Sequence, residues 1–210
     1  MQPRFVIGRV VRFSWGIFRD NAPFLVGLYL ALIAFALGNQ FLATAVAREI
    51  SLLIGSGVFL AGLLFMLLMW MGMKFLMLKL VRRERVSHEL LLSPAPALPR
   101  YVAGTLLYQL ITFIGYLLLI VPGIIWSVQY VFFRHAIVDR GLGPLEALAL
   151  SARITEGVRF ELLLVLCVLG LINLLGLLAL GIGLLVTLPW TELVLARVYD
   201  RLLRSYEAGL

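Results

Sequence analysis

Two charged residues stand at or within apolar runs, where an unpaired charge is costly. Lys74 lies two turns before the basic cluster Arg82-Arg83-Glu84-Arg85, and Glu192 lies five residues before Arg197. An ionisable side chain at membrane depth is a candidate for function by default. The two residues fall at similar depth on different helices, so an ion pair between them is one reading. That pair would serve as a proton or ion relay, or it would simply hold two helices together. Snorkelling of each side chain to the headgroups is the remaining alternative. Gln109, Thr112, Gln129, Asn173, Thr187 and Thr191 add uncharged polarity to other apolar runs. Lys74, Gln109, Asn173 and Glu192 together are the candidate lining of an intramembrane polar pathway. Asn173 shares one 120° helical arc with Gly170 and Gly176, which marks a close-packed face and equally suits interhelical hydrogen bonding without any ligand.

Catalytic chemistry finds little support. His135 and Asp139 stand four apart and share a helix face, and His88 precedes Glu89. A metal needs three or more converging ligands, yet no HExxH pattern occurs and Cys167 is the only cysteine. The Gly55-Ser56-Gly57 run is not a nucleophile elbow, and Gly141-Leu142-Gly143-Pro144 lacks the lysine of a phosphate loop. The expectation is a non-enzyme with no metal and no cofactor.

The elements that carry these residues follow from composition. Of 210 residues, 62% are hydrophobic and 14% charged, which excludes an ordinary soluble domain, a disordered chain and a nucleic-acid-binding domain despite the net charge of +7. A membrane helix needs about 20 mainly apolar residues. Runs at 24–47, 52–73, 101–121, 160–180 and 182–196 meet or approach this length, and a shorter run at 124–137 ends at charged residues. No strand alternation is present, so a β-barrel is excluded.

Charge decides whether the short run crosses. Cytoplasmic flanks collect Lys and Arg. Six crossings with both termini inside place every Lys and Arg except Arg48 on the cytoplasmic side, including Arg4, Arg9 and Arg12 at the start and Arg197, Arg201 and Arg204 at the end. The fold class expected is therefore an all-α polytopic membrane protein of six transmembrane helices, a single membrane domain over 1–210 in the cytoplasmic (inner) membrane. Arginines among the first nine residues also interrupt any signal-peptide core.

The connections are short outside and longer inside. Arg48-Glu49-Ile50-Ser51, Val121-Pro122-Gly123-Ile124 and Gly181-Ile182-Gly183 are the external links, and Pro122-Gly123 suits a type II turn. On the inner side, residues 4–20 read as an interfacial helix with Arg4, Arg9, Arg12, Arg19 and Asp20 on one face, ended by Asn21-Ala22-Pro23. A second interfacial helix is expected at 144–156, closed by Gly157, and 86–100 reads as a proline-stiffened link. The segments around Ser14 and Ser151 show a faint repeat of helix, break and hairpin. Arg82, Arg83 and Arg85 are the candidate contacts to anionic lipid headgroups.

Leu119-Ile120-Val121-Pro122-Gly123-Ile124-Ile125-Trp126, then Gly143-Pro144-Leu145-Glu146-Ala147-Leu148 with Ser151, Thr155 and Gly157, then Asn173, Gly176 and the run from Gly181 to Thr187 with Pro189 and Tyr199, carry a resemblance. These residues resemble prokaryotic integral membrane proteins of unknown function related to the membrane domain of glycerophosphoryl diester phosphodiesterases. The resemblance implies a six-helix membrane protein and transfers no catalytic residue, because the soluble phosphodiesterase domain has no counterpart here. The function expected is a scaffold, a lipid-interacting protein or an accessory subunit. Its partners would be membrane lipids, with a homo-oligomer or an unidentified membrane partner also open and no nucleic acid. A small transporter or channel is the alternative.

Overall fold

The computed structural model of the chain describes residues 7–84 and 86–209, so Arg4 and Arg85 lie outside the described residues. The architecture is all-α, with no strand among the described residues. In chain order the helices are α1 (Ile7–Glu49), α2 (Leu52–Val81), α3 (Leu98–Leu118), α4 (Ile120–Gln129), α5 (Phe133–Arg140), α6 (Pro144–Ile154), α7 (Arg159–Leu178) and α8 (Leu184–Glu207). Five segments are long and apolar enough to cross a membrane: Gly8–Glu49, Leu52–Val81, Glu89–Leu118, Ile120–Arg140 and Arg159–Leu178. Large apolar side chains such as Leu37, Phe41, Leu53, Leu117, Leu171 and Leu178 are exposed on these segments, the surface that lipid would cover.

The separate interfacial helix at 4–20 is corrected by α1, which continues through Pro23 for 43 residues. Pro23 removes one backbone hydrogen bond, which ordinarily breaks or kinks a helix. Here Val10, Ser14, Phe18, Leu25, Tyr29 and Leu32 form one buried stripe that runs past the proline. Packing of that stripe against α2 and α8 outweighs the lost bond. Where the C-terminal part of α1 meets α2, Gly55 admits the helix backbone: a Cβ there would stand 2.5 Å from Ala47 Cβ. Gly62 likewise makes room for the Asn39 side chain. Gly38 and Gly57, by contrast, face open space.

The expected turn at Pro122-Gly123 is also corrected. Both residues lie in the first turns of α4, and Leu119 alone, extended at φ −165° and ψ 151°, joins α3 to α4. Proline is tolerated in a first helical turn because the N–H it lacks has no intrahelical partner there. Gly123 serves contact instead: a Cβ would run into the Tyr116 ring, while one on Gly115 would meet Trp126 at 2.7 Å. The fourth run is then two helices, α4 and α5, parted at Tyr130–Phe132.

Residues 86–100 do not simply bridge. The first of two 3-10 turns, His88–Leu91, folds back onto α2, where Gly72 lies against the Leu91 carbonyl, and the second, Ala95–Ala97, leads directly into α3 at Leu98. The 144–156 helix is present as α6, with Gly157 at φ 78° just beyond it. Its N-terminus is tied by the Gly143 N–H, which donates to Glu146 Oε2 at 3.0 Å. The two halves of the faint repeat differ here, since α1 runs unbroken while Gly157 separates α6 from α7.

Candidate functional site

Polar side chains converge inside the bundle at two depths. At the deeper one, Lys74 Nζ of α2 donates to Glu192 Oε2 of α8 at 2.8 Å. Their side chains are 10% and 22% exposed, so both charges are largely withdrawn from solvent and each is the other's compensation. The Tyr29 hydroxyl and both His135 ring nitrogens are buried without a hydrogen-bond partner. His135 stacks on Tyr199 at 5.4 Å between ring centroids and meets Phe132 edge-on at 5.8 Å.

Nearer the end of the bundle, Arg82 joins three helices. Its Nη1 and Nη2 donate to Asp139 Oδ1 and Oδ2 of α5 at 2.5 and 2.9 Å, and its Nε donates to Asp200 Oδ1 of α8 at 2.8 Å. This two-pronged contact matches the planar fork of a guanidinium to a carboxylate. The Asp139 and Asp200 side chains are only 5% and 2% exposed. Arg204 Nε donates to the other oxygen of Asp200 at 2.9 Å, Tyr199 Oη donates to Asp139 at 3.3 Å, and Arg140 pairs with Glu207. The hydrogen bonds that Arg82 donates to Asp139 hold its guanidinium above its usual pKa, against the opposing effect of burial. Burial raises the Tyr199 phenol, which therefore stays protonated and donates.

One register explains both layers. Lys74 and Glu192 are 118 residues apart, and so are Arg82 and Asp200. Over these two layers α2 and α8 therefore run parallel with a constant offset. Burial follows this register. Between Leu52 and Phe65 α2 is buried only at Gly55 and Gly62, whereas Met71, Gly72, Met73, Lys74, Leu76, Met77 and Leu78 are all enclosed.

The break between α4 and α5 is closed by α6. Ser151 Oγ donates to the Gln129 carbonyl at 2.9 Å and accepts the Phe132 N–H at 3.1 Å, and Thr155 Oγ1 also donates to Gln129 at 3.2 Å. Backbone groups released by the break thereby keep partners away from water. Gln129 contributes its backbone carbonyl to this clasp.

The candidates separate accordingly. Lys74 and Glu192 meet. Asn173 Nδ2 donates to Thr191 Oγ1 at 3.3 Å, linking α7 to α8, and Gly176 packs where a Cβ would stand 2.6 Å from Thr187 Oγ1. Gly170 faces open space, so the close-packed face holds Asn173 and Gly176 without it. Gln109 is exposed on the outside of α3, whose inner face is Tyr101, Gly104, Thr112 and Gly115. A pathway lining that includes Gln109 is thereby corrected.

Arg82 is corrected too. Read as a headgroup contact, it spends its guanidinium on two buried carboxylates. Arg83 is exposed, with its guanidinium over the Phe13 ring at 5.8 Å. Among the described residues no three His, Cys, Asp or Glu side chains are grouped to hold a metal. Asp139, paired in sequence with His135, is instead bound by Arg82.

Sequence reasoning missed Asp200. The signal was present: Pro189, Leu193, Ala196, Asp200 and Leu203 form one buried stripe of α8, and an aspartate in such a stripe needs a partner.

No family model matches the chain, and neither the curated proteins nor the solved structures include a match. Fold and apolar surface together define an all-α bundle of the multi-pass membrane class.

Proposed function

We propose that this chain is a non-enzymatic integral protein of the cytoplasmic membrane, acting as a scaffold, a lipid-interacting protein or an accessory subunit. The observation that carries the reading is the Lys74–Glu192 contact. Charges at this depth face each other and bind α2 to α8, which is what a rigid support requires. The arrangement of Arg82, Asp139 and Asp200 serves the same end across α2, α5 and α8. In this reading the charged end of the bundle faces the cytoplasm, with the described ends of α1 and α8 on that side and Arg48 at the opposite end.

Six crossings complete the topology. The α7–α8 hairpin supplies the last two of them and returns the chain to its starting side. Kinship with the membrane domain of the glycerophosphoryl diester phosphodiesterases belongs to this proposal as well. The residues behind that likeness are those that clasp and pack, Ser151, Thr155, Gly123 and Gly176, and they carry architecture in place of catalysis.

A small transporter is the second reading, favoured by the buried, unpartnered Tyr29 hydroxyl and His135 nitrogens around the ion pair. Proteoliposomes containing a pH-sensitive dye distinguish the two. A proton leak above that of empty vesicles, abolished by Glu192→Gln, would favour transport.

The direct test of the scaffold reading is extraction from native membranes with a lipid-retaining polymer, followed by mass spectrometry of proteins and lipids. Expected is a stoichiometric protein partner, a defined homo-oligomer or an enriched lipid class. A lone monomer carrying lipid of bulk composition would overturn it.

A further inference from the structure

The arginines at the charged end are not all neutralised. Arg82, Arg140 and Arg204 have close carboxylate partners. Around Phe13 the balance differs. Two cavities of about 730 and 350 Å³ share Phe13, Arg197 and Arg201, and Arg12 and Arg83 line one each. Among the described residues the one carboxylate lining these two is Asp200, which already serves Arg82 at 2.8 Å and Arg204 at 2.9 Å and leaves Arg197 a distant 3.8 Å contact; Asp20 and Glu84 line an adjoining cavity with Arg12 and Arg83, and Glu84 pairs with Lys79. Burial pulls the Arg197 guanidinium below its usual pKa against the opposing charge of Asp200, and the charges of Arg201, Arg204 and Arg83 add to that pull. This is a concave surface with positive charge in excess.

The ring of Phe13 organises it. The Arg197 guanidinium lies over this ring at 4.2 Å and that of Arg83 at 5.8 Å. A guanidinium held over an aromatic ring keeps its in-plane N–H groups available, and that planar fork matches two phosphate oxygens. Depth also matters. Trp15, three residues from Arg12 and 45% exposed, meets Trp190 edge-on at 5.4 Å. Tryptophans of this kind favour the level where hydrocarbon meets headgroups.

We propose that the groove between the first turns of α1 and the last turns of α8 binds a phosphate ester, held by Arg12, Arg83, Arg197 and Arg201 with Phe13 as its floor. The inference deepens the lipid-interacting part of the proposed function and rests on it. The phosphate belongs either to an anionic phospholipid or to a soluble phosphate compound, and the two sources separate experimentally.

The test uses the full chain, delipidated in detergent, in native mass spectrometry and thermal unfolding. Phosphatidylglycerol, phosphatidylcholine and inorganic pyrophosphate are added separately. Expected for a lipid phosphate is retention of phosphatidylglycerol at least fivefold over phosphatidylcholine, with no stabilisation by pyrophosphate. Stabilisation by pyrophosphate alone would assign the soluble source. In either case the Arg197→Gln/Arg201→Gln double variant should lose at least fivefold in binding, while Arg153→Gln, on an exposed part of α6, should lose none. Arg12→Gln, at an exposed position, provides a second variant that leaves the helix contacts in place and should lose twofold or more. Equal binding by wild type, Arg12→Gln and the double variant, or no binding by any of them, overturns the site. Failure here with a partner still recovered from native membranes would remove the groove and leave the scaffold reading standing.

Discussion

Arg82 and Asp139 meet through two near-parallel N–H···O bonds of 2.5 and 2.9 Å, while the same guanidinium reaches Asp200 through its Nε at 2.8 Å. One side chain thus fixes the spacing of three helices that lie far apart in sequence. Lysine keeps the charge but not the fork, so it cannot hold both carboxylates in this geometry. Removing one partner of a buried ion pair costs about 3–5 kcal/mol, because the other charge is left uncompensated. Arg82→Ala and Asp139→Asn should both lower the unfolding temperature in detergent sharply, and Arg82→Lys should rescue only part of the loss. Full stability in Arg82→Lys would show that the fork is immaterial.

The deeper pair is tested by exchange. Lys74→Glu and Glu192→Lys should each destabilise the protein, by about 3 kcal/mol or more if the buried charge is left unopposed. The double exchange should recover at least half of that loss, read as thermal unfolding temperature of the purified protein. If the combination is no better than either single variant, the contact at 2.8 Å does not contribute as a pair.

Ser151 holds the Gln129 carbonyl and the Phe132 N–H at the α4–α5 break. Ser151→Ala leaves the Phe132 N–H without its side-chain partner and the Gln129 carbonyl with Thr155 alone, at a cost of about 1–3 kcal/mol for a buried group. Hydrogen exchange at residues 130–133 should accelerate with it. Unchanged exchange there would mean that the break is closed by other groups.

Glycines can be sorted by what surrounds them. Gly72→Ala drives a methyl into the Leu91 carbonyl and should loosen the docking of the first 3-10 turn onto α2, with a fall in unfolding temperature. Gly57→Ala meets open space and should be neutral or slightly stabilising, since alanine favours helix by about 1 kcal/mol. Equal effects from the two would contradict the packing described.

Much of this arrangement is legible in the sequence. Apolar runs separated by short links give the all-α class, and Lys74 and Glu192 stand out because a charge in such a run has few ways to be accommodated. The rest depended on tertiary packing. Pro23 and Pro122 carry the same local signal as helix breaks or turns, and only the stripe from Val10 to Leu32 and the contact of Gly123 with Tyr116 decide otherwise. Arg82 sits in a basic run that reads as a headgroup contact. Its true partners, Asp139 and Asp200, lie 57 and 118 residues away, beyond the reach of any local pattern. The break at Tyr130–Phe132 was hidden for a related reason, because the hydroxyl that permits it belongs to Ser151 on another helix.

The account depends on the charged end of the bundle facing the cytoplasm while the link between α1 and α2 faces the other side. Single cysteines at Gly8, Ile50 and Ser205, in a Cys167→Ala background, can be labelled in intact cells with a membrane-impermeant maleimide. Labelling at position 50 alone, with positions 8 and 205 reacting only after the membrane is opened, is the result expected. Labelling of position 8 or 205 in intact cells, or protection of position 50 until the membrane is opened, would contradict it.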